Sequence, residues 1–544
     1  MAMKKIPIAI EDFREVRGQD CYYVDKTKFI EDILNDGSEV KLFCRPRRFG
    51  KTLNMSMLKY FFNIENKNEN RKLFNGLYIE NSPMMKEQGK YPVIFISLKG
   101  ISGSNFEEAL NKIKNKISTL YDEYKDILPS LDEFDSLKFK KYLIEQVDKS
   151  SLESSLLFLT KILYKYYNQK VIVLIDEYDS PIISAYEKRY YNEMRDFLRA
   201  FYGDVLKTNN YLKMGILTGI IRVAQAGIFS DLNNFTNYTI LNNEYSDCFG
   251  LVESEVKAML DYYNIGYEMP EVKSWYNGYS FGEDEIYNPW SILKYVQFKK
   301  VKSYWVNTSG NALILNMLLA SNSTVFDNLN DLINGKDIMV YINESIRMGD
   351  NLSPNNIWEI MLFSGYLTVK ETLSETMFVL RIPNKEIQSL FKGLFVDAIF
   401  RESSNVGSLV QALITKNISQ VIKSLEDVVI NAISFYDISR KYENPYQALL
   451  GGFLYALDDY YIMDPNMESG YGRADIILIP RNKSWAGYIL ELKRANTNDI
   501  EKEAEKAFNQ IEDKKYEALL KKNGVKDIVK IGIVFDGKKA IAYY

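Results

Sequence analysis

The sequence predicts an α/β protein: a parallel-sheet domain at the N-terminal end, a mainly helical middle, and a compact α/β module at the C-terminal end. Three observations predict it. VIVLID at 171–176 is an unbroken apolar run, as expected of a central strand covered on both faces. Over the first 235 residues, strand-length apolar runs alternate with longer segments of helical period, the pattern of a parallel sheet. Beyond about residue 430, three more strand-length runs accompany one charged amphipathic segment.

Taken in order, EVKLFC at 39–44 reads as a buried strand. It is followed by the loop RPRRFGK and by TLNMSMLKYFF, where Leu53, Met57, Leu58 and Phe61 recur at helical spacing. PVIFISL at 92–98 is the next strand, and 105–125 and 152–167 are amphipathic helices. VIVLID follows, then a polar helix over 188–206 and a strand at 211–219, YLKMGILTG. The stretch 236–300 is mixed, with a helix opening near Glu253 or Ser254 and a turn-rich WYNGYSFG. Residues 310–430 read as mainly helical, with a hairpin-like insertion at 366–382. At the end, 444–459 reads as helix, ADIILI at 474–479 and WAGYILELK at 485–493 as strands joined by a turn, 500–521 as a helix, and VKIGIVFD at 529–536 as a third strand.

With 544 residues and about 150 residues per domain, three or four domains are expected; we place them at 1–235, 236–429 and 430–544. The chain contains no histidine, which excludes Ser-His-Asp and Cys-His hydrolases and histidine-ligated zinc sites. Acid–base chemistry must use carboxylates, Lys, Tyr, Cys or metal-bound water. The net charge of −4 means that nucleic-acid contact must come from a local basic patch. Cys21, Cys44 and Cys248 are far apart and odd in number, which points to a reduced, cytoplasmic setting. No run approaches the roughly 18 apolar residues of a membrane span.

Two constellations carry chemistry. In RPRRFGKT, Gly50-Lys51-Thr52 stands between a strand and a helix, the context of a phosphate-binding loop, although Arg45 replaces the usual first Gly. Backbone N–H groups at the helix start and the helix dipole favour anions there. Gly50 lets the backbone approach, Lys51 reaches the β- and γ-phosphates and Thr52 ligates Mg²⁺. Arg45, Arg47 and Arg48 with Phe49 complete the loop; the arginines face either phosphate or solvent. Asp176 and Glu177 end the VIVLID strand, Asp176 placed to hold Mg²⁺ and Glu177 to orient or deprotonate the attacking water. Thr218, at the tip of the 211–219 strand, is a candidate γ-phosphate sensor, and Arg222 a candidate source of transition-state charge.

The second constellation is Asp475 followed across a strand–turn–strand unit by Glu491 and Lys493. Residues i and i+2 of a strand share a face, so Glu491 and Lys493 point together and a hairpin brings Asp475 beside them. Two carboxylates and a backbone carbonyl suit Mg²⁺. The metal lowers the pKa of bound water, with Lys493 positioning it or stabilising charge on a phosphate. Glu443 offers a further carboxylate, and Gln510 a group for metal-bound water or phosphate.

Together these segments resemble bacterial proteins that join an AAA-ATPase-like P-loop domain to a C-terminal PD-(D/E)xK nuclease-superfamily domain. The matching stretches are YYVDKTKFIEDIL at 22–34, RPRRFGKTLNMSML at 45–58, VLIDEYDSPI at 173–182, LTGIIRVAQAGIFSDLNN at 217–234, WYNGYSFG at 275–282, YNPWSIL at 287–293, FSGYLT at 363–368, LRIPNKEI at 380–387, GRADIILIP at 472–480 and ILELK at 489–493. In that family an Arg at the first loop position is usual. The resemblance implies ATP and Mg²⁺ at Lys51, Thr52, Asp176 and Glu177, and a nuclease-type site at Asp475, Glu491 and Lys493. Relatives often carry Tyr-His where this chain has Tyr446-Gln447. Two readings stand. In the first, the protein is an ATP-binding and ATP-hydrolysing, Mg²⁺-dependent nuclease acting on DNA rather than RNA, away from membranes. In the second, it is an ATP-driven switch or adaptor whose C-terminal module binds nucleic acid or a partner without cleaving. A homo-oligomer is compatible with either.

Overall fold

The computed structural model describes residues 3–223, 228–229, 234–305, 314, 317, 323–333, 335–345, 356–391, 404–433, 457, 460–463, 468–469, 472–473, 475–495, 499–536 and 539–544. The chain forms two units, one of residues 1–308 with 337–387 and the other of 309–336 with 388–544.

The first unit is organised by strands β1 (Val40–Cys44), β2 (Val93–Ser97), β3 (Val171–Asp176), β4 (Leu212–Gly219) and β5 (Phe235–Tyr238), in the spatial order β2-β3-β4-β1-β5 with every pairing parallel. All residues of β1 and β3 are buried, which is why their runs lack a polar face. The four apolar runs read from the sequence become β1 to β4. β5 escapes such a reading because FTNY is half polar; its place comes from pairing Val40–Phe43 with Phe235–Tyr238. With β4 between β1 and β3, the C-terminal ends of three strands lie side by side, the end of an open α/β sheet where ligands bind. The predicted helices 105–125 and 188–206 appear as Phe106–Asp122 and Tyr191–Leu206, and 152–167 as Lys149–Glu153 and Ser155–Tyr167.

The rest of this unit includes helices Glu253–Tyr262 and Pro289–Phe298, a hairpin of β6 (Tyr279–Phe281) with β7 (Asp284–Ile286), and a three-stranded antiparallel sheet of β8 (Ile338–Tyr341), β9 (Thr368–Thr372) and β10 (Met377–Arg381). The predicted hairpin at 366–382 is β9–β10, joined by β8. Val256, Leu260, Val272, Tyr276, Ile292 and Val296 form a core of their own, and Ile6, Tyr22 and Val24 of the N-terminal segment pack on it.

The second unit contains β11 (Tyr461–Met463), the two-residue strands β12 (Glu468–Ser469) and β13 (Gly472–Arg473), β14 (Ile476–Pro480), β15 (Gly487–Arg494), β16 (Ile528–Asp536) and β17 (Lys539–Tyr543). Five of these form a sheet ordered β11-β14-β15-β16-β17, parallel only between β15 and β16. The helix expected over 500–521 breaks into Ile500–Asp513 and Ala518–Lys522, with Lys515 in the left-handed region at φ 53°. Ile477, Ile479, Ile489, Ile511 and Leu520 pack beneath the sheet. Glu443, Tyr446 and Gln447, and all of the expected 444–459 helix except Leu457, lie outside the described residues. Among the described residues, no helix is long and apolar enough to cross a membrane.

Candidate functional site

The phosphate loop runs from Arg45 to Gly50 and feeds helix Lys51–Phe62. Gly50 sits at φ 85°, and a Cβ placed there would meet nothing within 4 Å, so the space above the loop is open. The left-handed conformation favours glycine, and the first helical N–H groups have no intrahelical acceptor. An anion cradle follows from those two facts.

Lys51 is buried, and its ammonium donates to the carbonyls of Arg45 at 3.0 Å and Pro46 at 2.8 Å. Burial lowers its pKa, opposed by Asp176, Asp179 and Glu177. The loop's own carbonyls are its acceptors.

Asp176 is fully buried at the tip of β3 and gathers three hydroxyls. Thr218 donates to its Oδ1 at 2.6 Å; Thr52 at 2.9 Å and Ser97 at 3.3 Å donate to Oδ2. The sheet order explains this: Ser97 is the register partner of Asp176, and Thr218 lies next to the end of the neighbouring strand. The Thr52 oxygen keeps lone pairs for a cation while its hydrogen is held by Asp176, so the donor set fits a Mg²⁺–nucleotide. Glu177 adopts φ 52°, and burial, then the Asp176 charge, raises its carboxyl pKa above the usual range.

Four expectations need correction. Arg45 faces neither phosphate nor solvent. It is fully buried, donates to the carbonyls of Cys44 and Tyr238 at 2.9 Å each and of Tyr245 at 3.1 Å, and lies by the Phe249 and Phe281 rings. Burial brings its pKa down to about 10. An arginine at the first loop position thus ties β1 to residues 238–249. Arg48 is turned over the Trp290 ring at 3.7 Å, while the backbone oxygen of Arg47 accepts from the Trp305 indole at 3.4 Å. Phe49 is buried against Tyr279 and Phe281, leaving only its backbone to the loop. Arg222 stands 4.0 Å from Glu344, and both line a cavity of about 510 Å³ whose walls contain no residue of the phosphate loop. Thr218 lies where a sensor would lie, and its hydroxyl is engaged by Asp176.

Sequence reading overlooked Ser97, Tyr178 and Asp179. Asp179 is buried and accepts the N–H groups of Ile220 at 2.7 Å and Ile221 at 2.9 Å. The Tyr178 hydroxyl donates to Ile221 O and accepts from Val223 N. The nearest signal was the third acid of DEYDSP, but its N–H donors lie some forty residues away in sequence.

In the C-terminal unit, the register pairs Ile476 with Leu490, so Asp475 and Glu491 come next along neighbouring strands, as the hairpin argument expects. Asp475 Oδ2 accepts the Leu492 N–H at 2.8 Å. Glu491 is buried; its Oε1 accepts from Lys493 at 3.0 Å and from Gln510 at 2.5 Å, the Asp475 backbone N–H also acts on the carboxyl, and among the described residues its buried Oε2 forms no hydrogen bond. An orphaned buried carboxylate oxygen carries a desolvation cost that a cation would remove. Burial raises both carboxyl pKa values, with Asp475 adding to the shift on Glu491. Gln510 reaches the site because β16 offers Gly532 opposite Glu491: a Cβ there would meet Ala504 O at 2.4 Å and Phe508 N at 2.5 Å, so the helix settles directly on the strand. Among the described residues, no group of three or more Cys, Asp or Glu could hold a metal, so the ligand set available is Asp475, Glu491 and backbone carbonyl. Glu443 lies outside the described residues.

The segments that carry these two sites are similar to an AAA-ATPase-like domain and to a PD-(D/E)xK nuclease-superfamily domain. Residues 7–229 match the family model described as predicted AAA-ATPase, and residues 441–543 match that of the PD-(D/E)XK nuclease superfamily. The chain is also similar to the "Uncharacterized protein in vnfD 5'region" of Azotobacter chroococcum mcd 1, 27% identical over 394 residues, 72% of this chain and 69% of that protein.

Proposed function

We propose that the protein binds and hydrolyses ATP at its N-terminal site, and that its C-terminal site cleaves DNA phosphodiesters with Mg²⁺ under control of the nucleotide state. Three free, buried cysteines suit a cytoplasmic setting. At the N-terminal site, Gly50 to Thr52 receive the phosphates, Lys51 exchanges its loop carbonyls for phosphate oxygens, and Asp176 holds the Thr52 hydroxyl in place. Glu177, its pKa raised by burial, is suited to take a proton from water.

The observation that carries the nuclease reading is Glu491 Oε2, buried beside Asp475 and without a hydrogen bond among the described residues. A divalent ion bound there supplies an activated water and shields phosphate charge. Lys493 is 42% exposed and free to follow an incoming phosphate, and Gln510 fixes Glu491. One observation favours the non-cleaving alternative: the 3.0 Å Lys493–Glu491 ion pair occupies one carboxylate oxygen. The test is a cleavage assay on a panel of DNA and RNA substrates with Mg²⁺, with and without ATP. Wild type should cut DNA, and Glu491→Ala should lose at least about a thousandfold of that rate, roughly 4 kcal/mol. Equal rates in the two proteins would refute the nuclease assignment.

A further inference from the structure

The first unit gives up its chain to the second at two places that bear on function: after residue 308, and after Ile387. The described residues just before these exits are stitched together within the first unit. Glu386 is fully buried, and its Oε1 accepts the N–H groups of Tyr304 at 2.5 Å and Trp305 at 2.8 Å, while its Oε2 accepts the Ser291 hydroxyl at 2.8 Å. The turn carrying Glu386 is itself anchored. Asn384 donates to Asn277 O at 2.7 Å and accepts from Ile387 N at 3.0 Å, and Pro383 lies so close to Gly278 that a Cβ there would meet its carbonyl at 2.1 Å.

Two indoles tie this stitch to the phosphate loop. Trp305 donates through Nε1 to Arg47 O and packs edge-on against Tyr366 at 5.1 Å. Trp290 donates through Nε1 to Tyr304 O at 3.1 Å, and its ring carries the Arg48 guanidinium. Two successive loop residues are thus each braced by a tryptophan to the same dipeptide, and one buried carboxylate grips both amides of that dipeptide. The loop also contains an element that a ligand could switch: Lys51 donates to the carbonyls of Arg45 and Pro46, and on the ATP reading a phosphate would draw it away and release them. Those carbonyls immediately precede Arg47. Coupling between sites requires such an element, biased by a ligand.

We propose that Trp290, Trp305 and Glu386 carry nucleotide occupancy from the phosphate loop to both chain exits, and hence to the C-terminal unit, with Glu386 as the positioning residue. This rests on the ATP reading above. The burial of Glu386, three hydrogen bonds and no exposed surface, is what a rigid coupling element needs; the same carboxylate serving a solvent site would be exposed.

Hydrogen–deuterium exchange of the full chain, with and without ATP and Mg²⁺, tests the proposal. In wild type, ATP should slow exchange at least about threefold over residues 45–58 and change exchange over 487–513. Trp305→Phe, which keeps the ring on Tyr366 and removes the N–H, should retain the first effect and lose the second. Glu386→Ala should do the same, and Glu386→Gln, which keeps an acceptor for the two amides, should restore the response. An unaltered response over 487–513 in Trp305→Phe overturns the proposal, as does a wild type whose 487–513 segment ignores ATP. Wild type without ATP protection over 45–58 overturns the ATP reading, and this proposal with it.

Discussion

Asp176, at the end of β3, and Glu491, in the middle of β15, are both buried carboxylates on central strands, and their surroundings differ in one respect that matters. Asp176 has three hydroxyl donors shared between its two oxygens, from Thr52, Ser97 and Thr218. Among the described residues, Glu491 has two side-chain donors on one oxygen and none on the other. A carboxylate satisfied by neutral hydroxyls is stable before its ligand arrives and acts by orienting Thr52. A carboxylate with a bare buried oxygen is costly until a cation binds it directly. On the proposed reading, the N-terminal site is preformed around its acid, whereas the C-terminal site would be completed by a cation.

The sharpest way to break this comparison is Lys51→Ala. It should weaken ATP binding at least about a hundredfold, or about 2.8 kcal/mol, while Mg²⁺ binding at Glu491 is unchanged; calorimetry showing ordinary ATP affinity would remove the first site. Next, Gln510→Ala frees the second lone pair of Glu491 Oε1 from its orienting donor. Mg²⁺ affinity at the C-terminal site should fall about tenfold, the lower end for groups that orient a ligand, and titration with Mn²⁺ as a spectroscopic stand-in reads it directly. An unchanged affinity would leave Gln510 a packing residue.

The smallest effect concerns stability and pH. Because burial raises the pKa of Glu491, the folded chain holds its proton more tightly than the unfolded chain. The associated stability is fully present below the ordinary carboxylate range, at about pH 4, and is lost as pH rises through the raised value. Without metal at pH 7.5, Glu491→Gln should therefore melt about 2–4 °C higher than wild type, with the gap closing near pH 4. Adding Mg²⁺ should raise the wild-type Tm and leave the variant alone. Identical melting at both pH values would show that Glu491 is not strained by its burial.

Much of the molecule was legible because its signals are local. A strand covered on both faces is largely apolar, so β1, β3 and β4 announce themselves, and a helix starting at Lys51 behind Gly50 offers an anion its backbone N–H groups. The Asp475–Glu491–Lys493 set was legible because a turn returns the chain beside itself and residues i and i+2 of a strand share a face. Ser97 was hidden because its meaning depends on β2 lying next to β3, and strand order is not written in any one strand. Arg45, Arg48 and Phe49 were misread for a related reason: a basic loop looks the same whether its partners are phosphates or distant carbonyls and rings. The sequence by itself determined which residue types stand at which strand ends, since periodicity and hydrophobic burial act over a few residues. The tertiary structure alone decided which of those residues meet, because the donors to Asp176 and the tryptophans bracing the loop come from segments scores to hundreds of residues apart, and only closing the fold brings them within hydrogen-bonding reach.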